Sequence, residues 1–173
     1  IITILSGITM ASLIYLNTMA TGSGIDVLNY LLFHSGHSTA GIVFSRFFGT
    51  IISYLAGSAG GIFSPSLAIG GSIGGYIANL FGSADQGILV LLGMIGFLTG
   101  VTKTPFTSFI LVVEMTNKHS AIFPMMISAL VALISSNLIN KDSFYERVKE
   151  MYQEEIEEEK HKLNLSGSNA DQK

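Results

Sequence analysis

Apolar residues fill the first 140 positions in blocks of uneven length, and those lengths predict helices of two kinds. A helix needs about 20 apolar residues to cross a bilayer, with a range of roughly 17 to 25. Ile1 to Ala20 reaches that length without a charge, and so does Ser120 to Asn140, with Pro124 near its start. Gly87 to Val101 is too brief for a comfortable crossing, and Pro105 to Met115 is briefer still. Between Arg46 and Asp85 a charge-free stretch is interrupted by Ala-Gly-Ser-Ala-Gly-Gly at Ala56 to Gly61, which predicts two half-length helices meeting at a break. Such a break frees backbone N–H and C=O groups that lipid cannot satisfy, so it belongs where protein shields it or where it lines a polar cavity. Short segments interrupted by Gly and Pro point to the binding site of a transporter. The glycines also suit packing. Gly70 and Gly74, then Gly71 and Gly75, have the four-residue spacing that lets helices approach closely.

Composition turns this pattern into a membrane assignment. Charged residues make up 12% of the chain and mean hydropathy is +0.53, against about 25% charged in a soluble domain. Residues 1–140 hold only Asp26, Arg46, Asp85, Lys103, Glu114 and Lys118, a net charge of zero, while the remaining 33 residues carry net −3. With no basic stripe to neutralise phosphates, the body excludes nucleic acid as a partner. With no Cys, disulfide frameworks, thiolate catalysis and Cys-based zinc sites are excluded too. No paired carboxylates and no phosphate-binding glycine loop appear in the body, so no enzyme constellation survives.

Three regions follow: a membrane-embedded helical unit over 1–140, a cytoplasmic helix starting at the membrane over 141–162, and a disordered tail over 163–173. Ser143-Phe-Tyr-Glu146 has the capping-box pattern that opens a polar helix. Lys141, Arg147 and Lys149 place that end in the cytoplasm by the positive-inside rule. At the other end, Ile1 already lies inside an apolar block, without the basic start and cleavage site of a secretory signal. The chain is expected to be a piece of something longer.

Candidate chemistry concentrates in Gly60-Gly61-Ile62-Phe63-Ser64-Pro65-Ser66. Ser64 is a good N-cap, and Pro65 suits the first helical position, where its missing N–H is no loss. Glycine lets a ligand approach the backbone closely. The amides around Ile62 and Phe63 are then free donors at the positive end of a helix, which carries roughly half a charge and binds anions. Partial charges also let an ion leave, whereas a buried Lys or Arg holds it; no basic residue occurs between Arg46 and Lys103. The bland alternative is a glycine-rich break that serves packing alone.

Gly61-Ile62-Phe63-Ser64-Pro65 resembles the GxFxP motif of the CLC family of chloride channels and proton-coupled chloride transporters. Thr104-Pro105-Phe106-Thr107-Ser108-Phe109-Ile110-Leu111-Val112-Val113-Glu114-Met115-Thr116 resembles the family's next signature, and Pro124-Met125-Met126-Ile127 and Phe144-Tyr145 follow at similar spacing. The resemblance covers essentially residues 1–150. It implies an all-α polytopic membrane protein with broken and re-entrant helices, here the second of two inverted repeats plus the closing helix. By matching position, the backbone N–H groups of Ile62 and Phe63 inherit coordination of the central chloride, with Gly61, Ser64 and Pro65 shaping the loop, and the Tyr145 hydroxyl inherits a chloride-donor role.

The family's gating glutamate and serine loop belong to a first half that is missing here. Gly22-Ser23-Gly24-Ile25 superficially resembles that serine loop, but Asp26 and Val27 stand where Pro and Glu are expected, so Ser23 is not assigned the role. The partners implied are chloride, membrane lipid, the missing N-terminal half and a second copy, with the helices around Pro105 to Thr116 and Ile122 to Leu138 as the dimer face. No cofactor is implied; chloride is the transported ligand and protons are the expected coupled ion. The location implied is a prokaryotic inner membrane. The expected function is half of a proton-coupled chloride antiporter, with a passive chloride channel, a carrier for another small anion or a non-transporting assembly module as alternatives.

Other polar residues are expected to be structural. Glu114 and Lys118 have the spacing of a helical ion pair, Arg46 is expected to snorkel towards water in preference to facing a cytoplasmic or internal polar pocket, and His34 and His37 are expected in a surface loop, short of the ligands a metal needs.

Overall fold

The computed structural model describes residues 2–16, 22–34, 36–57, 61–82 and 85–140, together with 146, 148, 149, 151–153, 156 and 157. Over these residues the chain is all-α, with no strand. The helices are α1 (Ile2–Leu16), α2 (Ile25–Phe33), α3 (Ala40–Leu55), α4 (Phe63–Phe81), α5 (Gln86–Thr102), α6 (Pro105–Thr116) and α7 (Ile122–Ile139), the last preceded by a 3-10 turn at His119–Ala121. The interruption expected at Ala56 to Gly61 separates α3 from α4, with Gly57 in the left-handed region at φ 77°. The two flanking helices are not half-length, however. α4 has 19 residues, about 28 Å at 1.5 Å per residue. Its glycines do not end it, because they are spent on packing.

α4 and α5 form the centre, with α2 and α3 against α4, α6 and α7 against α5, and α1 on α3. A Cβ on Gly93 would lie 2.3 Å from the Gly70 carbonyl oxygen, and one on Gly74 would lie 2.2 Å from the Leu89 carbonyl oxygen. Backbone touches backbone there, a separation only glycine permits. The other pair of glycines faces elsewhere: Gly71 meets Leu28 and Met94, and Gly75 meets Ser38 and Leu31. The predicted stripe thus serves two neighbours at once. Leu91, Met94, Ile95 and Leu98 of α5 join Val112, Met125 and Ala129 on one side and Val27, Leu28, Leu31 and Leu67 on the other in a single buried core.

Buried hydroxyls are satisfied mostly within their own helix. Ser45, Ser72, Thr102 and Ser108 each donate to the carbonyl four residues earlier, at 2.6 to 2.9 Å, a common device for polar side chains in apolar helices. The outermost helix is apolar all round. His119–Ile139 is long and apolar enough to cross a membrane, yet only 11% of its apolar window is buried. Phe123, Ile134 and Leu138 stand exposed, and such a face suits lipid or another protein rather than water. α2 and α6, at 9 and 12 residues, are too short for the roughly 30 Å hydrocarbon core.

Two further expectations, both about charged side chains, need correction. Lys118 is not on the same helix as Glu114: α6 ends at Thr116, and Asn117 turns the chain with φ 51°. Arg46 does not snorkel, since it is 5% exposed; its surroundings are described with the site. His34 and His37 do flank the connection from α2 to α3, and His37 Nδ1 lies 3.0 Å from Asn79 Oδ1 near the end of α4.

Candidate anion site

The first turn of α4 is built differently from its sequence expectation. Helical geometry begins at Phe63, with Ile62 as the capping residue, so Ser64 and Pro65 are the second and third helical residues. The first bond of the following turn runs from Ser66 N to Ile62 O at 3.2 Å. The amides of Ile62, Phe63 and Ser64 therefore precede any carbonyl that could accept from them within the helix. Pro65 contributes no N–H, so its place at the third position still costs nothing. Ser64 does not cap the helix. Its hydroxyl donates to the carbonyl of Ser23 at 2.5 Å, 41 residues away, and tertiary contact wins over the local cap.

Gly61 is exposed, and a side chain there would meet nothing within 4 Å among the described residues. Its lack of a side chain leaves the backbone next to the Ile62 amide uncovered by any side chain of its own. Ile62 and Phe63 are half-buried, and the Phe63 ring packs on the buried core, which fixes the helix start to the rigid part of the fold. Beside this turn lies an almost wholly apolar recess of about 200 Å³, lined among others by Phe47, Ile62, Pro65, Ile69 and Phe97. Amides without an intrahelical acceptor, next to an apolar wall, interact more strongly with an anion than they would in water. No acidic side chain occupies the first turn of α4.

The Gly22-Ser23-Gly24 turn lies against the same end of α4. Gly22 and Gly24 have φ of 80° and 88°, a backbone that side chains rarely adopt. A Cβ on Gly24 would sit 2.3 Å from the Cβ of Ala68, so the turn rests directly on the helix. The Ser23 hydroxyl accepts from the Ile25 amide at 3.5 Å. Arg46, on α3, reaches across to this turn and donates from Nη1 to the Gly22 carbonyl at 3.0 Å. Asp26, on α2, acts on the guanidinium electrostatically, less strongly than burial does. Arg46 Nε is buried without a hydrogen-bond partner among the described residues.

Sequence reasoning placed Ile62, Phe63, Ser64 and Pro65 together and found the turn at Gly61, but it missed Gly22, Ser23, Gly24 and Arg46. The available signal was an isolated cation in an apolar helix, which is seldom idle in a membrane. Tyr145 lies outside the described residues, as do Phe144 and the tail over 163–173. Of 141–162, residues 146, 148, 149, 151–153, 156 and 157 are described, and they are helical. The point of departure towards that segment is fixed: Lys103, left-handed at φ 57°, ends α5 and donates from Nζ to the Asn140 carbonyl just past α7.

Residues 1–137 match the family model described as voltage gated chloride channel. The H(+)/Cl(-) exchange transporter ClcA of Vibrio cholerae is 31% identical over 138 residues, covering 74% of this chain and 29% of its own length. The protein of the same name from Vibrio campbellii is 32% identical over 159 residues, 84% of this chain and 33% of its own. The voltage-gated ClC-type chloride channel ClcB of Salmonella typhi is 29% identical over 150 residues, 82% of this chain and 36% of its own. The chain thus spans about a third of the length of these curated relatives.

Proposed function

The chain belongs to the CLC, or voltage-gated chloride channel, family, and on that premise we propose that it forms the chloride-binding second half of a proton-coupled chloride antiporter. The observation that carries this is the start of α4: backbone donors at Ile62 and Phe63 without an intrahelical acceptor, anchored by a half-buried ring packed on the core, beside an exposed glycine at Gly61. The relatives named H(+)/Cl(-) exchange transporters support exchange over passive flow. A dehydrated chloride is held by the Ile62 and Phe63 amides at the positive helix end, and no permanent charge traps it. Tyr145 donates its hydroxyl from the cytoplasmic side. The preceding half of the fold supplies the gate and the remaining anion contacts.

The protein sits in a prokaryotic inner membrane with residues 141–162 in the cytoplasm, and it pairs with a second copy through α6 and α7. Exposed apolar residues on both helices, Phe106 and Ile110 on α6 and Phe123 and Ile134 on α7, support that face. A Cys at Ile110 in the full protein is expected to crosslink between copies under mild oxidation; monomer alone would count against it.

The complete protein in liposomes tests the function directly. A chloride gradient is expected to drive protons uphill until the voltage balances exchange. Chloride flux without proton movement would make it a passive channel, the second reading, which the named chloride channel among its relatives favours. No chloride flux at all would refute both. Tyr145→Ala is expected to weaken chloride binding about ten- to a hundredfold, the equivalent of one hydrogen bond to a charged group, and to loosen coupling; unchanged binding and coupling would remove Tyr145 from the site.

A further inference from the structure

Among the described residues, two buried side-chain polar atoms lack a hydrogen-bond partner, Thr99 Oγ1 and Arg46 Nε, and only the second belongs to a charged group. Taking a guanidinium out of water is expensive, and a well-packed apolar side chain in its place is often neutral or stabilising. Here the cost is heightened, because Nε is buried without a partner among the described residues. What Arg46 does hold is the Gly22 carbonyl, at 3.0 Å from Nη1. The next carbonyl in the chain, that of Ser23, receives the Ser64 hydroxyl from the first turn of α4. The residue after that, Gly24, is pressed against Ala68 one turn further along the same helix. Three consecutive residues therefore link α3 to the end of α4 that carries the free amides.

We propose that Arg46 is a positioning residue for the anion site: through the Gly22–Gly24 turn and Ser64 it fixes where the Ile62 and Phe63 amides point. The inference rests on the chloride assignment above and adds to it a group that never touches the ion. A binding constellation must be held to within about 0.5 Å by its supporting residues, and a turn with two left-handed glycines does not hold itself. Arg46 supplies the outer anchor and Ser64 is the inner attachment. Because the two anchors act in series, losing either releases the turn.

The test is a double-mutant cycle in the full-length protein in detergent, with chloride titrated calorimetrically and transport measured in liposomes. Arg46→Gln and Ser64→Ala are each expected to weaken chloride binding about fivefold, the equivalent of one hydrogen bond. The chloride concentration for half-maximal transport rises in step, while turnover at saturating chloride stays within about twofold, since the donors themselves remain. The double variant should be no weaker than the weaker single one. Additive losses would show Arg46 acting on the ion by its charge rather than through the turn, and would overturn the proposal. So would wild-type affinity in folded Ser64→Ala, a mild change that keeps the test decisive if Arg46→Gln does not fold. If the wild-type protein binds no chloride, the chloride assignment fails by itself. The same cycle read by thermal unfolding then decides the linkage, with additivity again overturning it.

Discussion

Gly93→Ala is expected to leave little folded protein, although it adds a single methyl group. That methyl would lie 2.3 Å from the Gly70 carbonyl oxygen and 2.9 Å from Gly74 Cα and N. All three are backbone atoms, so no side chain can rotate away. α4 and α5 must separate, and the separation opens contacts among Leu67, Val90, Met94 and Leu98 at the centre of the core. Overpacking of this kind costs about 1–3 kcal/mol, a large share of the marginal stability of a folded domain. Gly93→Leu should abolish the fold entirely. Gly100→Ala on the same helix is the control. Nothing lies within 4 Å of a Cβ there, and helix propensity favours Ala over Gly by up to about 1 kcal/mol. Size-exclusion profiles and thermal unfolding of the three full-length variants would check this; a well-folded, unshifted Gly93→Ala would mean that α4 and α5 are not in direct backbone contact.

The second large effect concerns the donors themselves. Replacing the Phe63 amide by an ester, through semisynthesis of the full protein, removes one N–H and leaves every side chain in place. Hydrogen bonds to charged groups are worth about 1.5–3 kcal/mol, so chloride affinity should fall about ten- to a hundredfold. The helix should persist, because that N–H precedes any intrahelical acceptor, the bond of the following turn being Ser66 N to Ile62 O. An ester at Leu67, buried one turn further on, should perturb stability and leave chloride affinity nearer to the wild-type value. Equal affinity in the Phe63 ester and the wild type would place the ion elsewhere.

Local pattern made much of the fold legible. The break between α3 and α4 announces itself as a glycine run, the spans of α5, α6 and α7 follow from their apolar lengths, and the spacing of Gly70 with Gly74 anticipates close packing. Where the sequence misled, a distant partner or an unforeseen turn had overruled the local pattern. Ser64 has every local reason to cap a helix, yet its hydroxyl goes to Ser23. Lys118 has the spacing to meet Glu114, but Asn117 turns the chain first. Arg46 has a long stem and could reach water from many helices, and only the fold shows the Gly22 carbonyl waiting for it. The length of α4 was misjudged for a related reason: glycine weakens an isolated helix and here is kept because another backbone needs the space.

The hydroxyls that bond back to their own helices bear on how the protein is made. Ser45, Ser72, Thr102 and Ser108 take their acceptors from the same segment, so these groups are already satisfied when a newly made helix leaves the translocon for lipid. α7 carries no charged residue and can settle in the bilayer ahead of its neighbours. Arg46, Ser38 and Ser64 depend on acceptors from other elements, and α2 and α6 are too short to span. Those pieces have to be held in the insertion machinery or at the interface until α4 and α5 have closed. On these hydrogen bonds, self-sufficient segments are expected to insert early and those that wait for partners late, with the start of α4, the proposed anion site, in the late group.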